Sequence, residues 1–285
     1  MEIAKVGVVG AGLMGSGIVE TAARSGFDVI VREVSDDLAQ KGIGRIEKSM
    51  NTAVERGKLE ASERDAAIAR IHSTTSLDEM ADRDIVIEAA IENMDIKKGV
   101  FRDLDRITGP HAILVTNSSS LSSTELGSVT TRPEKVAGLH FFNPVPVMTL
   151  VEIVRALETS DETMGDLRAF SGRLGKTVVV AKDTPGFIVN ALLIPYMVDA
   201  VTMLENGIAT REDIDTAVTL GLGHPMGPLT LLDFVGLDTT LYIADIMYDE
   251  FKNPKYAAPP LLRKMVASGM LGRKSGRGFY DYRSK

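Results

Sequence analysis

Val6-Gly7-Val8-Val9-Gly10-Ala11-Gly12-Leu13-Met14-Gly15 is the stretch on which the rest of the chain hangs. Residues 6–9 form a short apolar run of strand type, and a helix-compatible segment follows through Arg24. G-x-G-x-x-G between a strand and a helix has a physical meaning at each glycine. Gly10 permits a tight turn, Gly12 removes the Cβ that would keep a pyrophosphate away, and Gly15 lets helix and strand pack closely. The helix start also presents unbonded N–H groups to an anion. Gly10, Gly12, Leu13, Met14 and Gly15 are therefore the expected dinucleotide loop. The next strand, residues 27–31, ends at Arg32-Glu33, where a carboxylate can accept from the adenosine ribose hydroxyls. A carboxylate there repels a 2′-phosphate, which favours NAD over NADP. Arg32 beside it is the one residue that could turn to a phosphate instead.

Composition narrows the alternatives. With 285 residues the chain holds one large domain or two smaller ones, and 44% hydrophobic content suits a soluble protein with a sizeable core. A net charge of -7 and a pI near 5.3 argue against a nucleic-acid partner, which needs a basic face. There is no cysteine, so disulfides, thiolate nucleophiles and cysteine-bound metals are excluded. The histidines (72, 111, 140 and 224) show no His-x-x-x-His pair, so no metal site is expected. No charged-then-apolar leader is visible, and no apolar run approaches the roughly 20 residues of a membrane helix. A cytoplasmic protein without a membrane partner is expected.

Further along, Ser35 reads as a helix N-cap with Asp36 and Asp37 in the first turn. That helix runs to about Arg56, Gly57 breaks it, and a second helix starts at Ser62. This helical pair is read as an insertion ahead of the next strand, placed at residues 84–90. Its Lys41, Arg45, Lys48, Arg56 and Lys58 are interleaved with acids, the pattern of a solvated face. Residues 84–90 are continuous and apolar, as a buried parallel strand should be. Glu92 and Lys97 open a helix through about residue 107, and a strand at 112–116 runs into the serine-rich residues 117–123. Ligands of open α/β sheets bind beyond strand carboxyl ends, so these serines fall where chemistry is expected, with plain helix capping as the alternative.

His140 and Asn143 end another apolar run, residues 136–139, and Pro144 and Pro146 prevent an ordinary continuation. Glu152 sits among apolar neighbours in a strand placed at 147–154, where a carboxylate needs a partner. His140 is the economical candidate, since a Glu behind a His fixes its tautomer and stabilises the imidazolium. Ser119 upstream and Asn190 downstream are the candidate helpers. Ser160 caps a helix to about residue 174, and residues 177–180 make a last short strand. The junction falls at residues 182–186, beyond which helical periodicity takes over. Residues 187–205 read as one helix with Asn190 in its first turn, apolar nearly all round, suited to a bundle centre or a subunit interface. Thr210 caps the next helix, residues 229–251 hold two more, and 261–268 another. Residues 271–280 read either as a flexible tail or as a basic segment reaching back over a ligand. The expected fold is α/β. A Rossmann-type, mostly parallel sheet with an inserted helical pair fills residues 1–184, and an all-α domain follows over 185–285.

The chain resembles the short-chain L-3-hydroxyacyl-CoA dehydrogenase family, and within it the bacterial 3-hydroxybutyryl-CoA dehydrogenases. The resemblance covers essentially all of the chain. It rests on residues 7–15, Asn117-Ser-Ser-Ser120, Gly138-Leu-His-Phe-Phe-Asn-Pro-Val-Pro146, Asp183-Thr-Pro-Gly-Phe-Ile-Val-Asn190, His224-Pro-Met-Gly-Pro228 and Lys274-Ser-Gly-Arg-Gly-Phe-Tyr280. It implies NAD-dependent oxidation of a 3-hydroxyacyl-CoA, with His140 as catalytic base, Glu152 as its partner, and Ser119 and Asn190 in support. It also implies NAD contacts at Glu33, Glu92, Lys97, Ser119, Asn143 and Lys274, and CoA contacts at Ser49 and Arg56. Arg56 stands where the family carries Lys, Glu33 where Asp is common and Ser118 where Thr is common. The apolar surface of the helical residues 185–285 suggests a homodimer through that domain, and a place in fatty-acid metabolism follows from the resemblance. Readings left open are another hydroxy substrate, such as a longer or carboxylated acyl-CoA or a sugar acid, and a non-catalytic NAD-binding module.

Overall fold

The apolar residues of the opening motif form β1 (Lys5–Val9), and the glycine turn feeds α1 (Leu13–Arg24) and then β2 (Asp28–Arg32). This is the start of a parallel β-α-β unit, with β1 and β2 paired in register from Lys5↔Asp28 to Val9↔Arg32. The computed structural model describes residues 1–283. Met1–Thr184 forms one compact unit, and the chain from Pro185 onward forms a second.

After β2 come α2 (Asp36–Glu55) and α3 (Ala61–Ile68), with Ser35 Oγ accepting from the Leu38 N–H at the start of α2. A capping box between Glu60 and Glu63 opens α3. The sheet does not wait until residue 84, as the sequence reading has it. It resumes at β3 (Ile71–Thr74), parallel to β2. The helical pair is thus the crossover between β2 and β3 rather than an insertion ahead of a later strand. β3 gives little hydrophobic signal because it is an edge strand whose His72 and Ser73 face solvent.

The unit continues with β4 (Ile85–Glu88), α4 (Met94–Ile107), β5 (Ile113–Thr116), α5 (Ser123–Gly127) and β6 (Val136–Phe141). β7 (Leu150–Arg155), α6 (Asp161–Arg173) and β8 (Thr177–Lys182) complete it. The strand order is β3-β2-β1-β4-β5-β6-β7-β8. The first six strands are parallel; β7 pairs antiparallel with β6, and β8 parallel with β7. The order reverses between β1 and β4, the point at which such sheets open a ligand crevice. One face of the sheet packs on α1, α2 and α6 through residues such as Ile18, Ile46 and Leu167, and the other packs on α4 and α5 through Phe101, Leu104 and Leu126. The fold class expected from the sequence is the one observed.

The second unit is helical among its described residues: α7 (Val189–Glu205), α8 (Arg211–Gly221), α9 (Pro228–Val235), α10 (Leu237–Phe251) and α11 (Pro260–Ala267). α7 begins two residues later than expected, since Phe187 takes a left-handed φ of 46°. It is not buried all round: Ile194, Met197, Val198 and Val201 enter the core, while Leu192 is 72% exposed. The segment after α11 is no loose tail. Phe279 is buried, and the Asp233 carboxylate accepts from the amides of Phe279 (2.8 Å) and Tyr280 (2.9 Å) and from the Tyr282 hydroxyl (3.0 Å). The Tyr280 hydroxyl in turn donates to Asp215 at 3.0 Å. Among the described residues no helix is long and apolar enough to cross a membrane.

Candidate active site

The antiparallel join between β6 and β7 places His140 directly opposite Glu152. Facing residues on one side of such a pair lie within side-chain reach, and His140 Nδ1 is 2.7 Å from Glu152 Oε2. Both side chains are buried, Glu152 completely. A carboxylate buried among Val151, Ile153 and Val154 is tolerable only with a partner that returns charge or a proton, and His140 is that partner. The contact through Nδ1 orients the ring, and Nε2 is the ring nitrogen that this contact does not use. Phe142 packs against the imidazole, ring centroids 4.6 Å apart. The Phe141 N–H donates to Asn117 Oδ1 at 3.0 Å, tying the end of β6 to the loop after β5.

That loop carries the serines, and most are fixed by carboxylates. The Ser118 and Ser120 hydroxyls both donate to Glu92 Oε1, the latter at 3.1 Å, and half-buried Ser119 lies between them. Ser122 caps α5, and the Asp183 carboxylate accepts from its hydroxyl (2.7 Å) and from the amides of Ser123 (3.1 Å) and Thr124 (2.7 Å). The plain capping reading thus holds for Ser122.

Beneath this loop lies an ion pair the sequence reading missed. Glu88, at the end of β4, is fully buried, and Lys97 is 1% exposed. Lys97 Nζ donates to both Glu88 oxygens, at 2.7 and 2.8 Å, and lies 3.4 Å from Glu92 Oε2. Glu88 also accepts from the Ala90 N–H and the Thr116 hydroxyl, each at 2.7 Å. The pair therefore fastens the first turn of α4 to the end of β4, Thr116 ties Glu88 to the end of β5, and the Ser118 and Ser120 contacts to Glu92 join the loops that follow. Lys97, given to the cofactor by resemblance, spends its charge on this interior contact. The signal available in the sequence was a charged residue closing the apolar run Ile85-Val86-Ile87, which an unpaired carboxylate would not tolerate.

The glycine loop fits a dinucleotide. Gly10 has φ 101°, and a Cβ there would lie 2.7 Å from the Ala89 carbonyl oxygen. A Cβ on Gly15 would lie 1.8 Å from the Gly10 carbonyl oxygen, so helix and turn touch as expected. A Cβ on Gly12 would meet nothing, which leaves space at the helix start for a ligand. α1 has no side-chain cap and no acid in its first turn, so its leading N–H groups suit a pyrophosphate. Leu13 is exposed beside them and Met14 packs on the core. Glu33 Oε1 accepts from the Ala11 N–H at 2.6 Å, which puts the acid expected to meet the ribose on the loop itself. Arg32 turns away, its Nε donating to the Thr75 carbonyl at 3.3 Å. Arg45 of α2 donates to the Ala11 carbonyl at 2.9 Å, so the helical pair packs on the same loop.

The remaining candidates fall in both units. Asn143 is exposed after β6, before a cis peptide bond to Pro144. Ser49 and Arg56 are both exposed, two helical turns apart on the same side of α2. In the second unit, Asn190 is half-buried in the first turn of α7, and Lys274 pairs with Asp238 at 2.6 Å.

A sheet of this order, with a glycine cradle and a His–carboxylate pair at its strand ends, defines a dinucleotide-dependent oxidoreductase. The family model described as "3-hydroxyacyl-CoA dehydrogenase, NAD binding domain" matches residues 5–184, and that described as "3-hydroxyacyl-CoA dehydrogenase, C-terminal domain" matches residues 186–282. The chain is 51% identical over 282 residues to the 3-hydroxybutyryl-CoA dehydrogenase of Mycobacterium tuberculosis, covering 98% of this chain and 99% of that one. It is 44% identical to the human mitochondrial hydroxyacyl-coenzyme A dehydrogenase, covering 98% of this chain and 91% of the other. The crystal structure of (S)-3-hydroxybutyryl-CoA dehydrogenase from Ralstonia eutropha matches with a TM-score of 0.95 at 45% identity, covering 99% of this chain and all of that one. The chain belongs to the 3-hydroxyacyl-CoA dehydrogenase family, and its cofactor is NAD.

Proposed function

We propose that the protein oxidises short-chain (S)-3-hydroxyacyl-CoA, 3-hydroxybutyryl-CoA foremost, to the 3-ketoacyl-CoA, and catalyses the reverse reduction. The observation that carries this reading is the 2.7 Å contact between His140 Nδ1 and a completely buried Glu152. With Nδ1 engaged, His140 Nε2 takes the proton of the substrate's C3 hydroxyl, and Glu152 stabilises the imidazolium that results. In the reverse direction the same nitrogen returns that proton. NAD, held by the Gly10–Gly15 loop and Glu33, supplies the hydride acceptor when bound. Ser119 and Asn190 hold the substrate's hydroxyl and carbonyl. Glu92, acting through the serine loop, together with Asn143 and Lys274, completes the cofactor side, Lys97 supports Glu92 from the Glu88 pair rather than touching the cofactor, and Ser49 and Arg56 take the CoA. The N-terminal unit thus serves as the NAD domain, and the helical unit serves substrate binding and dimerisation in a cytoplasmic enzyme. Exposed Leu192, Leu220 and Leu222 support the dimer, and a monomer mass by light scattering would remove that part.

The test is optical: NADH consumption with acetoacetyl-CoA, with NADPH run beside it. Oxidation of NADH well in excess of NADPH is expected. No turnover by protein shown to bind NADH would overturn the substrate assignment.

A further inference from the structure

A groove of about 500 Å³ runs along α1, α3 and the loop that joins β6 to β7. Its volume is within the range of roughly 300–1,000 Å³ usual for small-molecule sites. Arg24, Lys58, Arg70 and Lys176 line it against a single acid, Glu63, in a chain whose net charge is -7. Arg24 is bridged to Glu20 at 3.1 Å, but among the described residues Lys58, Arg70 and Lys176 have no carboxylate within salt-bridge distance. Lys176 Nζ donates instead to the carbonyls of Val145 (2.6 Å) and Met148 (2.8 Å). Burial, and then the charge of Arg24, hold its pKa below the ordinary lysine value. Cations gathered without counter-charge on a concave surface focus field and favour an anion. The lining also offers an apolar face: Val147 is 72% exposed, and Leu59 is in the same wall. Charge plus apolar surface is the composition that takes a phosphate and a base together.

We propose that this groove seats the phosphorylated end of an adenine nucleotide, with its phosphates against Lys58, Arg70 and Lys176 and its base against Val147 and Leu59. Ser49 and Arg56 do not line it, so its residues are additional to those assigned to CoA above. It is built on the loop between the strands of His140 and Glu152, which gives an occupant a direct mechanical connection to that pair. Two sources share this chemistry: the phosphoadenosine end of the acyl-CoA itself, which rests on the function proposed above, or a free adenine nucleotide.

The experiment is calorimetric titration of the full chain with adenosine 3′,5′-bisphosphate, with NADH saturating so that the cofactor site is closed. The exposed Lys58 and Arg70 are changed together, Lys58→Glu with Arg70→Glu, and thermal melting checks the fold of the variant. A neutral pair, Lys58→Gln with Arg70→Gln, should fall between it and the wild type. Affinity for the bisphosphate at least tenfold weaker in the reversed variant is expected. Equal affinity in both proteins, or no binding by the wild type, overturns the proposal. The variant's kinetics then identify the source. A tenfold rise in KM for acetoacetyl-CoA at unchanged kcat assigns the groove to the thioester, and an unchanged KM assigns it to a free nucleotide. Absence of acetoacetyl-CoA turnover in the wild type would sink the proposed function while leaving the titration result intact.

Discussion

Glu33, the acid proposed to meet the cofactor, is first held by the protein's own backbone. Its Oε1 holds the Ala11 amide at 2.6 Å and its Oε2 the Val34 amide at 3.1 Å, so its charge is fixed at the glycine loop. A fixed carboxylate at that place opposes a 2′-phosphate, and Arg32, which could have offset it, is turned to Thr75. Glu33→Ala should therefore raise kcat/KM for NADPH relative to NADH by about tenfold, equivalent to about 1.4 kcal/mol. An unchanged ratio would place cofactor choice elsewhere. At this scale much was legible in the sequence, because G-x-G-x-x-G, the acid after β2, and an apolar strand interrupted by Glu152 each demand a specific physical partner. What escaped was side-chain pairing within the loops. Nothing local to Glu88 or Asp183 reveals that the first holds Lys97 and the second caps α5.

Among the elements, the end of β4 is bound to α4 by the Glu88–Lys97 pair, with Thr116 of β5 on the same carboxylate, and the stability of that junction depends on both members. Breaking a buried pair from one side leaves an uncompensated charge, costing about 3–5 kcal/mol, whereas replacing both partners with apolar or neutral groups is far milder. Lys97→Ala should accordingly lower the urea midpoint severely, and Glu88→Gln combined with Lys97→Met should recover most of the loss. A Lys97→Ala protein as stable as the wild type would show that water or another cation reaches Glu88. The strong elements were readable from periodicity and caps, including α2 from Ser35 and α8 from Thr210. β3 was not, since an edge strand with exposed His72 and Ser73 carries almost no hydrophobic pattern. Apolar content alone also misjudged α7, where exposed Leu192 shows that composition does not say which face is buried.

For the whole molecule, the two units keep their last elements in place by different means. The first closes its sheet with β8, and the second draws its C-terminal segment onto Asp215 and Asp233. Burial pushes the Asp233 carboxyl above its ordinary value of 3.8, against the opposing hydrogen bonds from Tyr280, Phe279 and Tyr282. A carboxyl with a raised folded-state pKa favours folding when protonated, so its contribution is largest below 3.8 and is lost as pH rises through the folded-state value. The stability of the wild type minus that of Asp233→Asn should therefore fall as pH rises through the acidic range and then level off. A difference that rises with pH would contradict that sign. The pair across β6 and β7 carries the proposed chemistry, and one variant tests it most directly. His140→Ala should lower kcat with acetoacetyl-CoA by about 10²–10⁴-fold while NADH binds as it does to the wild type. Near-normal turnover, or loss of NADH affinity in a folded variant, would contradict the assignment of His140 as the base.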